Sequence, residues 1–93
     1  MYYVYFLRSL KTGKIYVGQT AKHPTIRTEE HNAGLSRWTN QHRPFKLIYF
    51  ESYQCRDCAE HRESFYKSGQ GKYIKKAIVT ALESINPKLL TIG

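Results

Sequence analysis

Two runs of strand-forming residues lie on either side of a turn within the first twenty positions. Residues 2–7 are aromatic and β-branched, and residues 14–20 repeat that character. Both compositions suit a pleated, half-buried surface. Between them Ser9-Leu10-Lys11-Thr12-Gly13 supplies turn chemistry, so the two strands are predicted to fold back as a hairpin. Side chains alternate along a strand. Tyr3, Tyr5 and Leu7 therefore share one face, with Val4 and Phe6 on the other. Tyr5 and Tyr16 fall on neighbouring strands. The sequence does not fix the register across the hairpin, so their meeting on one face is an expectation for the structure to decide.

His23-Pro24-Thr25 marks the next boundary, and Pro24 suits the first turn of a helix. Ile26 to Ala33 is predicted as a short helix stopped by Gly34, and the polar residues 35–44 as a loop. Phe45-Lys46-Leu47-Ile48-Tyr49-Phe50 is almost continuously apolar, which predicts a well-covered third strand. After Glu51 a helix runs from about Cys55 to Ser68, ended by Gly69. Cys58, Ala59, Phe65 and Tyr66 share one of its sides, with Glu63 at the edge of that face. In the last helix Ile74, Ala77, Ile78, Ala81 and Leu82 follow an i, i+3, i+4, i+7, i+8 stripe, and Asn86-Pro87 ends it. The expected fold is α+β, a small antiparallel three-stranded sheet flanked by helices, in the order β-β-α-β-α-α. A chain of 93 residues makes one domain. Residues 1–83 are assigned to it and residues 84–93 to a C-terminal extension.

Fifteen Lys and Arg against seven Asp and Glu give a net charge of +8. That balance suits nucleic acid, an anionic membrane surface or an acidic protein. The opening Met-Tyr-Tyr-Val-Tyr-Phe-Leu has no basic region ahead of it, and its apolar run is too short for a signal peptide or a membrane span. A cytoplasmic address with no membrane partner is expected. Two cysteines cannot staple a domain of this size, in keeping with a reducing compartment. Cys55-x-x-Cys58, with His61 beyond it, has no second pair to complete a structural zinc site. The pair is read as helix packing.

The chemistry-bearing residues are Tyr5, Tyr16, Arg27, His31 and Glu63. Phosphodiester hydrolysis needs an activated water, charge to stabilise the phosphoryl oxygens and help for the leaving alkoxide. A single carboxylate such as Glu63 can bind Mg²⁺ when waters and a substrate phosphate complete the shell. Arg27 offers a forked donor to phosphate. A tyrosine titrates near about 10 and needs neighbouring cations to act as a base. Singly, each residue has a blander reading: tyrosines pack well in strands, and Glu63 can form a surface ion pair with Lys67.

Together these residues resemble the GIY-YIG nuclease superfamily, and within it the small standalone single-domain branch. Tyr3-Val4-Tyr5 and Tyr16-Val17-Gly18 stand where the family has its two tripeptides, with Tyr5 and Tyr16 eleven residues apart. Arg27 falls where the family has its helical arginine, and His31 where members carry His or Tyr. Ala59-x-x-x-Glu63, followed by Lys67, matches the segment of the metal-binding glutamate. The run from Arg43 to Tyr49 looks like the third strand of the small branch. The resemblance covers residues 2 to about 80 and implies a DNA endonuclease dependent on Mg²⁺ or Mn²⁺. It implies 5′-phosphate and 3′-hydroxyl products and a setting in DNA repair or processing. It gives the base role to Tyr16, with Tyr5 holding the water or orienting Tyr16, and His31 assisting proton movement.

Two positions depart from the family pattern: Tyr3 replaces the first glycine, and Gln19 stands where many members carry lysine. The larger members add a DNA-binding or zinc-binding domain, so specificity here is expected to be low or to come from a partner protein. Arg37, Trp38, Arg43, Lys67, Lys72, Lys75 and Lys76 are candidate nucleic-acid contacts, with Trp38 stacking on an unpaired base. His42 is a further candidate for a phosphate, and His23 is read as a loop residue. The competing function is a non-catalytic nucleic-acid-binding module that keeps the fold with a decayed site.

Overall fold

Tyr2–Ser9 (β1) takes the centre of the sheet, and its middle residues Val4 to Leu7 are buried on both faces. The computed structural model describes residues 1–34 and 37–86, without the side chain of Trp38. Ile15–Thr20 (β2) and Phe45–Tyr53 (β3) pair antiparallel with β1 on its two sides, giving the order β2-β1-β3. The expected hairpin forms. Ser9 Oγ accepts from the backbone N–H groups of Lys11 and Thr12 at 3.2 and 3.0 Å. Gly13 takes a φ of 78°, in the left-handed region open to glycine.

Pro24–Asn32 (α1) begins at His23, whose Nδ1 accepts from the Thr25 N–H, and ends at Gly34 with a φ of 79°. Arg37–His42 (α2) is a short helix where a loop is expected. Five polar residues and one tryptophan carry no amphipathic period to announce it; Thr39 is fully buried and its carbonyl accepts from the Arg43 N–H at 2.9 Å. Arg56–Lys67 (α3) and Gly69–Ile85 (α4) follow β3. The fold is therefore α+β, with the expected element order plus α2.

The two faces of the sheet carry different layers. Val4, Phe6 and Val17 pack with Ala59 and Tyr66 of α3 and Val79 of α4. Tyr5, Leu7 and Phe45 pack on the other face, where α1 lies. Three expectations about burial are corrected. β3 is an edge strand with only Phe45 buried, because β1, paired on both sides, holds the covered position. Cys58 does not pack; both cysteines are exposed. On α4 the buried residues are Gly71 and Val79, while Ile74 is 43% exposed and Ala77 and Ala81 are also exposed.

The period of α4 is right and its phase is not. Ser68, rather than Gly69, is the junction: it ends α3 and caps α4, its Oγ accepting from the Gly71 N–H at 3.1 Å. With no connecting loop, the end of α3 fixes the rotation of α4. A Cβ at Gly71 would overlap the Phe65 carbonyl. At the far end, Arg8 pairs with Glu83 at 2.6 Å. The assigned domain boundary at residue 83 falls within α4, and residues 87–93 of the C-terminal extension lie outside the described residues. No helix among the described residues is long and apolar enough to cross a membrane.

Candidate active site

The register of the hairpin places Tyr5 opposite Gly18 and Leu7 opposite Tyr16. Tyr5 and Tyr16 are thus diagonal neighbours on the same face, with ring centroids 6.3 Å apart. A Cβ at Gly18 would lie 2.6 Å from Tyr5 Cζ and 3.1 Å from Tyr16 Cε1. Both phenols therefore rest over one bare Cα. Gly18 is a site residue that sequence reasoning left unassigned; a glycine inside a strand was the available signal, since it often marks a close approach.

His31 completes this layer from the last turn of α1. It is 1% exposed, and its Nε2 lies 2.9 Å from the Tyr5 hydroxyl. Its ring stands edge-on to Tyr16 at 5.0 Å. Asn32 holds this end of α1 to the sheet: its amide accepts from the Phe45 N–H at 2.6 Å and donates to the Phe45 carbonyl at 3.1 Å. Arg43 donates to the Asn32 carbonyl at 3.2 Å, an interaction at a helix C-terminus.

Burial, and after it the nearby Arg27 charge, lowers His31 to about 4, partly opposed by Glu30. The imidazole is neutral at neutral pH and can accept a hydrogen bond from the Tyr5 hydroxyl. Burial also raises the Tyr5 phenol well above its ordinary value; Tyr16 and Glu63 add to the rise and Arg27 opposes it. Arg27 thus acts electrostatically on both Tyr5 and His31. Its Nη1 donates to Glu30 Oε1 at 3.2 Å, and Glu30 Oε2 takes Lys22 Nζ at 2.6 Å. Glu30 is a second participant not foreseen from sequence.

A GIY-YIG catalytic domain model matches residues 1–77. The chain belongs to the GIY-YIG family. This is an endonuclease superfamily whose members act on DNA and in general use divalent metals. No curated protein and no solved structure matches the chain. The departure from the GIY-YIG pattern at Gln19 has a simple geometry. Gln19 pairs with Val4, so strand alternation directs it to the face of α3 rather than that of the two phenols.

Glu63, the candidate metal ligand, comes from α3 on the opposite layer. Its carboxylate is 24% exposed and pairs with Lys67 at 3.4 Å. Its charge reaches the Tyr5 phenol. The surface ion pair and the electrostatic effect on Tyr5 therefore coexist. No three His, Cys, Asp or Glu side chains gather as metal ligands among the described residues. The donor set fits a hard cation bound through one carboxylate and completed by water and phosphate, the usual habit of Mg²⁺.

A second carboxylate was missed from sequence altogether. Glu51 accepts from Tyr49 at 2.6 Å, from Tyr53 and from Tyr66, and pairs with Arg62 at 3.2 Å. Burial pushes its carboxyl up, but the three phenols and Arg62 outweigh this and leave it lowered. Arg62 also covers the Tyr66 ring at 4.6 Å. This cluster ties α3 to β3 and so holds the helix that carries Glu63. The alternation Tyr49-x-Glu51-x-Tyr53 was its one local sign.

Of the nucleic-acid candidates, Arg37 and Arg43 belong with α1 and α2 on the phenol side, whereas Lys72, Lys75 and Lys76 stand on α4, on the other side. Lys67 is exposed beside Glu63, and Trp38 lies outside the described side chains.

Two consequences are measurable. Gly18→Ala is expected to cost roughly 1–3 kcal/mol, the usual cost of overpacking, and to lower activity sharply, because a Cβ there displaces the Tyr16 ring along with that of Tyr5. Urea unfolding and a cleavage assay on the same preparation check it; a variant as stable and active as the parent means the rings do not rest on Gly18. The second concerns acid. His31 titrates near about 4 in the fold and about 6.5 when unfolded, so the unfolded chain binds more protons between those values. Stability present above pH about 6.5 is therefore lost as pH falls towards 4, by on the order of 3 kcal/mol from this residue. Unfolding curves from pH 7.5 to 4 check this, and His31→Gln should flatten the dependence.

Proposed function

We propose that this chain is a divalent-metal-dependent DNA endonuclease that hydrolyses phosphodiester bonds to 5′-phosphate and 3′-hydroxyl ends. The observation that carries the reading is the packing of Tyr5 and Tyr16 over Gly18, with His31 against both rings and Arg27 acting on Tyr5 and His31 through its charge. Arg27, one-third exposed, donates to the non-bridging oxygens of the scissile phosphate. Glu63 would hold Mg²⁺ or Mn²⁺, whose charge supports the phosphoryl oxygens and the leaving group.

Tyr16, the less buried of the two phenols, acts as the base. As phenolate it takes a proton from water, and the water oxygen bonds to phosphorus. The bond from phosphorus to the 3′-oxygen breaks, and that oxygen leaves with a proton from solvent. Tyr5 is unsuited to the base role because burial disfavours its phenolate. Its buried hydroxyl bonds to neutral His31, and its ring orients that of Tyr16. His31, neutral at neutral pH, fixes the Tyr5 hydroxyl.

The expected setting is the processing or repair of branched or damaged DNA inside the cell, with sequence choice low or provided by a partner protein. The +8 charge predicts weak, nearly sequence-blind binding that falls steeply with salt. The deciding experiment is a cleavage assay on duplex, single-stranded, flap and four-way DNA with Mg²⁺ and with Mn²⁺, alongside binding at several salt concentrations. Metal-dependent cleavage with ligatable 5′-phosphate ends is expected. Salt-sensitive binding with no cleavage of any substrate supports the non-catalytic module instead.

A further inference from the structure

A groove of about 530 Å³ opens between α4 and the β1–β2 hairpin. It lies on the α3–α4 face of the sheet, away from the face of Tyr5, Tyr16 and His31. Ile15 and Val79 form its apolar part, and Lys14, Lys72, Lys75 and Lys76 line it. Arg8 is there too, but Glu83 already holds it at 2.6 Å. Among the described residues none of the four lysines forms an ion pair. The groove therefore carries four cations without a carboxylate partner, one of them half-buried. Packing like charges together is unfavourable unless an anion joins them.

We propose that this groove binds the phosphodiester backbone of a second DNA segment while the tyrosine face engages the first. The proposal rests on the nuclease reading for its choice of nucleic acid. The form of the groove favours a polyanion over a single phosphate group. Lys72 and Lys76 stand one helical turn apart, about 6 Å along the axis, and Lys14 adds a cation from the hairpin. The charge is spread along a path. Burial, with the neighbouring Lys72 charge, pulls the Lys75 ammonium down, a strain that a bound polyanion would relieve. A protein with phosphate-binding faces on both sides of one thin sheet favours DNA that offers two arms, as a fork or junction does.

The test uses the full chain, short labelled duplexes and a triple variant, Lys14→Gln, Lys72→Gln and Lys76→Gln, with circular dichroism confirming that it folds. Stoichiometry is read by native mass spectrometry and by fluorescence anisotropy at several salt concentrations. The parent is expected to take two short duplexes and the variant one. The overall dependence of log affinity on log salt should fall by about 3 in slope, since each phosphate contact contributes roughly 0.9. Affinity for a four-way junction should fall at least tenfold.

One duplex bound by both proteins overturns the proposal. So does tight binding of ATP that needs the three lysines while duplex binding is unchanged, because the groove is then a nucleotide site. The outcome separates the two readings. Two-duplex binding without cleavage leaves the groove standing and removes the nuclease. Cleavage with a single duplex bound does the reverse.

Discussion

Tyr16→Phe is expected to slow cleavage by about 10²–10⁴-fold, the usual contribution of a positioned base, while Tyr5→Phe loses much less activity. The two variants should differ oppositely in stability. The Tyr5 hydroxyl is buried and bonded to His31 at 2.9 Å, so its removal strands a buried ring nitrogen at a cost of about 1–3 kcal/mol. The Tyr16 ring is partly exposed, and Phe keeps its packing. The parent's rate should rise with pH as the base deprotonates, and Tyr16→Phe should lose that limb. If Tyr5→Phe is the inactive protein and Tyr16→Phe retains the pH limb, base and helper are exchanged. If both cleave at the parent's rate, the phenols are structural.

Glu63→Gln is expected to remove cleavage at limiting Mg²⁺ while DNA binding holds or strengthens slightly. The change deletes a carboxylate but no cation that meets phosphate, and it frees Lys67 from its 3.4 Å pair. Metal binding gives a readout apart from activity: Mn²⁺ titration followed by electron paramagnetic resonance should show one site in the parent and none in the variant. The parent's Mn²⁺ binding persisting unchanged in Glu63→Gln shows that the ligand is elsewhere. Fold integrity is not at risk, because α3 is held by the Glu51 cluster and by Ala59 and Tyr66 in the core. The contrast with Glu51 is instructive. That carboxylate is saturated by three phenols and Arg62 and has little capacity left for a cation, whereas Glu63 has one long ion pair.

Local chemistry made much of the fold legible. Turn residues at Ser9 and Gly13, Pro24 at a helix start and Gly34 at its end all sit where their backbone preferences direct them. Failures came where local signals ran out. The apolar run at Phe45 to Phe50 gave no sign of whether β3 would be central or at the edge, because composition reports burial potential and not strand order. The stripe on α4 showed its period, but the phase was set by Ser68 and Gly71 at a junction with no loop. Helix α2 is too short to have a detectable period.

The candidate site divides along the same line. The chain by itself determined the residue types and their order: Tyr5 and Tyr16 on consecutive strands, Arg27 and His31 one turn apart on a helix, and Glu63 on a later one. Residue identity and short spacing are local properties, and a regular backbone turns them directly into faces and turns. Only the tertiary structure decided what those groups are to one another. It chose the register that sets Tyr5 over Gly18, buried His31 against the Tyr5 hydroxyl, and brought Glu30 to Arg27. It also sent the lysines of α4 to the opposite face of the sheet. Those outcomes depend on desolvation, on charges from separate elements and on how the layers pack. None of these is a property of any one stretch of chain.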